Sequence, residues 1–315
     1  MLASPSATLM GNPTRLPNTL SLLDPVTCGE DLTGQASRIA ELAPRLCVAC
    51  EGYHLRFVTT RAVYPDKGIA VDRPALIARL RLILAEAGRH SDAIEIVIVG
   101  SADTGVVSTC AHAAAVIEPS LIARCRFTVI DRCQSPLVLC AEFAATHGIE
   151  LRTGQLELPA AARHFAADLI VTHSFLRFAD RSSQLALLRT FDEWLKPGGR
   201  CVLSEPIRPR DAANHASEKR KQLVMLGSVD EAVMRGEIRI AEDVAAELRR
   251  MRDDDARPVE RPGDIGSLDE LRDLTREAGL HEYSLDTISK DVRLGADESM
   301  KRIRALGVFG RSRDA

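Results

Sequence analysis

Apolar residues recur at helical spacing over residues 34–58, at Ile39, Leu42, Leu46 and Cys50, so this stretch reads as helix. A turn-rich run, VYPDKGIAVDRP, follows. Asp72 then suits a helix N-cap and Pro74 the first helical turn. The helix PALIARLRLILAEAG carries Leu76, Leu80, Leu82 and Leu84 and stops near Gly88. The texture changes at IEIVIV (Ile94–Val99), which is β-branched and nearly all apolar, as a strand buried on both faces must be. A glycine-bearing loop and the helix TGVVSTCAHAAAVI come next, then the strand CRFTVID ending at Asp131. PLVLCAEFAATHG reads as helix, IELRT and DLIVTHS as strands, SSQLALLRTFDEWL as amphipathic helix, KPGG as a turn and RCVLSEP as strand. Residues 208–262 break this rhythm with charged, helical sequence and a loop. Ser267 and Glu270 form a capping-box pattern before LDELRDLTREAG. Strands near 282–290 and 301–309 close the series.

Alternating strand and helix predicts an α/β fold: a doubly wound, mostly parallel seven-stranded sheet covered on both faces. The expected division is an N-terminal tail and helical cap over 1–90, and a sheet domain over 91–315 with a helical insert at about 208–262, before the last two strands.

Composition narrows the functions. The 315 residues are 45% hydrophobic and 27% charged, which fits a folded globular chain. A formal charge of −3 leaves no electrostatic footprint for nucleic acid, and 4% aromatics weakens base stacking. No apolar run approaches the roughly 18 residues that span a bilayer, and the N-terminus lacks a secretory pattern. Neither nucleic acid nor membrane is therefore expected as a partner, and a cytoplasmic location is. Eight cysteines in a chain this long read as reduced thiols rather than a disulfide scaffold.

The motifs IVIVGSADTG, FTVID, GQLELP, DLIVTHSFLRF, LKPGGRCVLSEP and SLDELRDLTREAGL stand in one order. In that order and spacing the chain resembles class I, Rossmann-like S-adenosylmethionine-dependent methyltransferases over roughly two-thirds of its length. LKPGG followed by a strand is the most telling piece. The resemblance implies S-adenosylmethionine as cofactor and a small-molecule methyl acceptor as partner. It places Gly100, Ser101, Asp103, Gly105, Asp131, Arg132, Gln155, Leu156 and His173 around the cofactor.

Physical reasons accompany these assignments. Ligands in open α/β sheets bind beyond the carboxyl ends of the strands, where strand order reverses. Glycines after the first strand let backbone approach a ligand, and the next helix offers free N–H groups. Asp131, by resemblance, accepts the two ribose hydroxyls, Gln155 stands where the family has an acid facing the adenine amino group, and Leu156 packs on the base. His173, at the rim of the fourth strand, is the candidate general base. Each has a plainer alternative: an ordinary strand-to-helix turn for the glycines, a helix N-cap for Asp131, a solvated loop for Gln155, a histidine satisfied by a loop carbonyl for His173.

The glycine loop departs from the family pattern of an acid followed by three alternate glycines. Aligned on Gly100, Ala102 and Thr104 replace two glycines and Ile98 the acid. Aligned on Gly105, Asp103 and Val99 are the mismatches. Asp103 is the candidate to hold the methionine amino end instead. Two other readings stay open: a non-catalytic protein of this fold acting through partners, and an NAD(P)-dependent oxidoreductase. Against the latter, GSADTG is not G-x-G-x-x-G, and Asp131 falls further on than the roughly 20 residues expected.

CVACEGYH combines Cys47, Cys50, Tyr53 and His54. A closed zinc site needs four ligands, and no second CxxC or HxxxH follows. No metal is therefore expected, and on one helix Cys47, Cys50 and His54 would share a face packed against the main domain. Tyr53 and His54 line the acceptor pocket if that helix covers it. Cys125, Cys133 and Cys140 read as small core hydrophobes.

Overall fold

The computed structural model describes residues 20–47, 50–158, 164–208, 224, 227–254, 263–293 and 299–311. The N-terminal tail expected before residue 20, most of 208–226 and the loop at 255–262 lie outside the described residues.

Seven strands form one sheet: β1 (Ile94–Val99), β2 (Cys125–Asp131), β3 (Glu150–Gln155), β4 (Ala167–His173), β5 (Leu195–Pro206), β6 (Leu280–Arg293) and β7 (Ser299–Arg311), in the order β3-β2-β1-β4-β5-β7-β6. The first five are parallel, and β7 runs antiparallel between β5 and β6. The helices are α1 (Leu32–Leu46), α2 (Tyr53–Val63), α3 (Arg73–His90), α4 (Gly105–Ala115), α5 (Pro119–Ile122), α6 (Gln134–His147), α7 (Arg181–Trp194), α8 (described over 227–234), α9 (Glu242–Asp254) and α10 (Leu268–Glu277). This is a Rossmann-like, doubly wound and mostly parallel α/β sheet with an antiparallel edge.

The period-two alternation of strands divides the core. On one face Ile94, Ile96, Ile98, Phe127, Val129 and Leu169 pack against Leu76, Leu80 and Leu84 of α3 and the small residues of α4 and α6. On the other, Val97, Val99, Ile130, Ile170 and Cys201 meet Leu187, Phe191 and Trp194 of α7 and Leu271 and Leu274 of α10. Every residue of α4 is buried; its few polar side chains are satisfied, Ser108 and Thr109 donating to Gly105 O and His112 meeting Leu22 O. A third cluster joins Ile39, Leu42, Leu55 and Val58 of α1 and α2 to Leu139 of α6, Val229 and Val244. The N-terminal helices and the described insert helices thus share one apolar interior.

Three local expectations change. The 34–58 pattern is two helices, not one, because the chain turns at Glu51 and Gly52, both with positive φ. KPGG lies inside β5, where pairing with β4 shifts register. Asp72 occupies the N-cap of α3, but its side chain does not cap the helix; it is drawn to cationic and hydroxyl partners described below. Ser267 does cap α10, accepting from Glu270 N at 3.1 Å, while Glu270 reaches back to Gly266 N.

Strand order reverses between β1 and β4, so the crevice beyond their carboxyl ends is where this architecture places a ligand.

Candidate active site

A cavity of about 640 Å³ opens at that crevice, within the size range of small-molecule sites. Gly100, Ser101, Asp103, Asp131, Arg132, Leu156 and His173 all line it. The structure does not bring two others to its wall. Gly105 sits beneath Ile69 and Arg61, where a Cβ would stand 2.8 Å from Ile69 and 3.0 Å from the guanidinium. Gln155 points its amide at the Arg132 carbonyl, 3.1 Å away.

Gly100 follows β1 with φ +71, and a Cβ there would fall 2.1 Å from the Phe175 ring. Only glycine fits both the backbone and the ring. The loop closes as Ser101 Oγ donates to Asp103 O at 2.6 Å, and Ser101 N donates to Asp131 Oδ2 at 3.1 Å. Asp131 Oδ1 accepts from Cys133 N at 2.7 Å. Each carboxylate oxygen keeps a further lone pair for a ligand. Burial raises the Asp131 carboxyl above its ordinary value, against the pull of His54 and these N–H groups.

Asp103 is already engaged. Its Oδ1 accepts from Gly105 N at 2.8 Å and its Oδ2 from the Arg61 guanidinium. Arg61 also donates to both oxygens of Glu30, at 2.8 and 2.7 Å, and Arg73 donates to Glu30 as well. Thr104 Oγ1 donates to Glu30 at 2.9 Å, and Thr104 N to Gln35 Oε1 at 3.4 Å. The N-terminus of α4, expected to face a ligand with free N–H groups, is therefore partly satisfied by the N-terminal layer. Burial opposes the charge on Glu30, yet Arg61 and Arg73 hold its pKa at about 2. Sequence reasoning missed Glu30 and Arg61; they lie in the N-terminal layer, and no motif marks them.

His173 ends β4. Its Nε2 stands 3.0 Å from Asp72 Oδ1, and its Nδ1 lies 3.3 Å from Ser174 Oγ. Asp72 further accepts from Ser204 Oγ and pairs with Arg304 at 3.3 Å. Burial, then the Arg304 charge, holds His173 below its ordinary value, against the pull of Asp72. Burial thus favours the neutral imidazole; with Nε2–H donated to Asp72, Nδ1 is the accepting nitrogen and faces the Ser174 hydroxyl, whose oxygen accepts from Arg304. Ser174, also on the cavity wall, has φ +59, a conformation that non-glycine residues adopt mainly where surroundings enforce it.

Tyr53, Phe57, Phe175 and Phe178 give the cavity an aromatic side. Tyr53 meets Phe178 edge to face with centroids 5.2 Å apart, and stacks on Phe57 at 5.9 Å. Tyr53 and His54 both reach the cavity because α2 lies over it.

Beside the cavity the fold supplies what the local sequence lacks, a fourth side chain next to the CVACEGYH residues. Cys47, Cys50 and His54 do have a fourth companion, Cys133, which the fold delivers from the turn after β2. The four side chains are buried, and their Sγ and ring nitrogen atoms lie within 4.8 Å of one another. Hydrogen bonds from Cys47 and Cys50 hold the Cys133 thiol well below its ordinary value.

No protein-family model matches this chain, and no curated protein matches it in sequence. Solved structures do match in shape. One is described by the conversion of a disulfide bond into a thioacetal group during echinomycin biosynthesis, with 16% identity over 75% of this chain and 82% of that one, TM-score 0.46. Another is the S-adenosylmethionine-dependent methyltransferase SibL in its apo form, 15% identical over 78% of this chain, TM-score 0.46. A third is an O-methyltransferase family protein from Burkholderia thailandensis, 12% identical over 83% of this chain, TM-score 0.46. The chain spans 56% and 60% of the length of the last two. Among the described residues no helix is long and apolar enough to cross a membrane.

Proposed function

We propose that this chain is an S-adenosylmethionine-dependent methyltransferase acting on a small molecule with an aromatic or flat apolar body. The observation that carries the reading is the cavity at the β1/β4 crevice, whose wall Gly100, Ser101, Asp131, Arg132 and Leu156 share with Tyr53, Phe57 and Phe178.

The residues suit the cofactor. Gly100 keeps the loop free of side chain, Asp131 retains acceptor capacity for the ribose hydroxyls, and Leu156 offers an apolar surface to the base. S-adenosylmethionine, when bound, supplies an electrophilic methyl on a sulfonium sulfur. The protein's part is to orient the acceptor and exclude water, which accounts for most of such a rate gain. The aromatic side chains hold the acceptor body. His173, fixed by Asp72, takes the acceptor proton at Nδ1, a step worth about 10²–10⁴-fold. Asp103 takes part through the loop: with its carboxylate held by Arg61, it sets the loop conformation rather than meeting the methionine amino group. In this reading the N-terminal helices over residues 1–90 and the insert at about 208–262 together cover the acceptor end of a cofactor-binding domain running from 91 to 315. The shared apolar interior of α1, α2, α8 and α9 supports that reading.

The test is a titration with S-adenosylmethionine and S-adenosylhomocysteine, followed by a methyl-transfer screen over phenolic, amine and heteroaromatic acceptors. Binding of both nucleosides, with transfer to a member of such a panel, is the expected result. NADH binding in their place would favour the oxidoreductase reading.

A further inference from the structure

The Cys47, Cys50, His54 and Cys133 cluster is built like a closed tetrahedral metal centre. Structural zinc is held by four nitrogen or sulfur ligands, Cys3His among the standard sets. With Zn–S of about 2.3 Å and Zn–N of about 2.0–2.1 Å, a tetrahedron has S···S edges of about 3.8 Å and S···N edges of about 3.6 Å. Here Cys50 Sγ and Cys133 Sγ are 3.6 Å apart, and His54 Nδ1 is 3.2 Å from Cys50 Sγ. No pair exceeds 4.8 Å. This spacing fits one ion shared by all four ligands and leaves no room for an iron–sulfur cluster, whose ligands are divided among two or more irons.

The surroundings serve the same end. Ser135 Oγ lies 3.0 Å from Cys47 Sγ and 3.6 Å from Cys133 Sγ, placing a hydroxyl donor against two thiolates. Cys133 is the N-cap residue of α6, where the helix favours a thiolate. His54 Nε2, the nitrogen turned away from Cys50, stands 4.0 Å from Asp131 Oδ1. Metal-bound histidines characteristically present their second nitrogen to a carboxylate. The other buried cysteines, Cys28, Cys110, Cys125, Cys140 and Cys201, have no such company among the described residues.

We propose that these four residues bind a single zinc ion that clamps the N-terminal helices onto the turn after β2. Three ligands come from the α1–α2 corner and the fourth from the residue two beyond Asp131, so the ion ties the layer over the cavity to the strand end that carries its acid. All four coordination positions are filled by protein, so the centre is structural. Binding releases to solvent the protons of those thiols that still carry them, while His54 binds through Nδ1 and keeps its Nε2–H toward Asp131.

The test uses the full chain, expressed separately in zinc- and cobalt-supplemented minimal medium. The expected result is one zinc per chain by elemental analysis, retained through gel filtration, and a cobalt form with thiolate-to-cobalt charge-transfer absorption and the intense visible bands of tetrahedral cobalt. Added zinc bleaches that spectrum. Cys47→Ser and Cys133→Ser each lose the metal or weaken it at least tenfold in a chelator competition, whereas Cys110→Ala keeps it. Should either serine variant fail to fold, the wild-type cobalt spectrum decides. Less than one-tenth equivalent of metal with no charge-transfer band overturns the proposal, whether the thiols prove free or a Cys50–Cys133 disulfide has formed. The readout needs neither cofactor nor acceptor, so it stands or falls apart from the methyl-transfer reading.

Discussion

Asp72 and His173 meet from positions 101 residues apart, with Oδ1 3.0 Å from Nε2, and join the start of α3 to the carboxyl end of β4. A carboxylate that only capped a helix would leave the histidine free to turn. Here it fixes the ring and chooses the tautomer that exposes Nδ1 toward Ser174.

His173→Ala therefore lowers turnover about 10²-fold or more, while affinity for S-adenosylhomocysteine changes less than threefold. The wild-type kcat falls on acidification with a midpoint below the ordinary histidine value, the direction set by burial of the ring. Steady-state kinetics with an acceptor from the methyl-transfer screen checks both. Unchanged kcat in a folded variant removes His173 from the chemistry.

Glu205 gives a pH prediction. Its carboxyl is buried and raised from 4.5 to about 7, with Oε1 accepting from Phe175 N and Leu176 N. Oε2 has no hydrogen-bond partner among the described residues. Between pH 4.5 and 7 the folded state holds a proton that the unfolded chain has lost, so this group lowers stability as pH rises through that window. Glu205→Gln keeps the two accepted bonds and removes the ionisation, at about 3 kcal/mol in favour of the variant above pH 7. Urea midpoints at pH 5 and pH 8 measure it. A stability difference between variant and wild type that is equal at both pH values contradicts the assignment.

Arg61 is flanked by Glu30 and Asp103, all three buried. Arg61→Leu leaves one acid with no counter-ion and the other sharing only Arg73, and such uncompensated burial costs about 3–5 kcal/mol. Equilibrium unfolding checks this. A loss below about 1 kcal/mol means that water reaches the pair.

Gly100→Ala combines left-handed backbone strain, about 1–2 kcal/mol, with overlap on Phe175. We expect a loss of at least about 2 kcal/mol. Measured in a Phe175→Ala background, the same substitution costs only the backbone part. An equal cost in both backgrounds would show that the ring does not rest on Gly100.

The sheet was legible in the sequence because its strands are buried on both faces, and IEIVIV or DLIVTHS admits few other readings. The places of Gly100 and Asp131 on the cavity wall were legible because they stand at the carboxyl ends of β1 and β2, while the roles given to them come from the resemblance. Partners supplied from far along the chain were not. Cys133 read as core because nothing local links it to the CxxC at Cys47 and Cys50, 83 residues before it in the case of Cys50. Asp72 read as a cap because its helix position was visible and its partners Ser204 and Arg304 were not. Gly105 and Gln155 were placed by alignment to a loop whose spacing has drifted, and a neighbour from the N-terminal layer or a nearby carbonyl takes their contacts instead.

The most direct test of the account is a calorimetric titration of the wild-type chain and Asp131→Ala with S-adenosylhomocysteine, with NADH as control. We expect micromolar binding to the wild type, weakened by about 1–3 kcal/mol in the variant, and no heat with NADH. Absence of nucleoside binding to the folded wild type, or an affinity unchanged by the loss of Asp131, would contradict it.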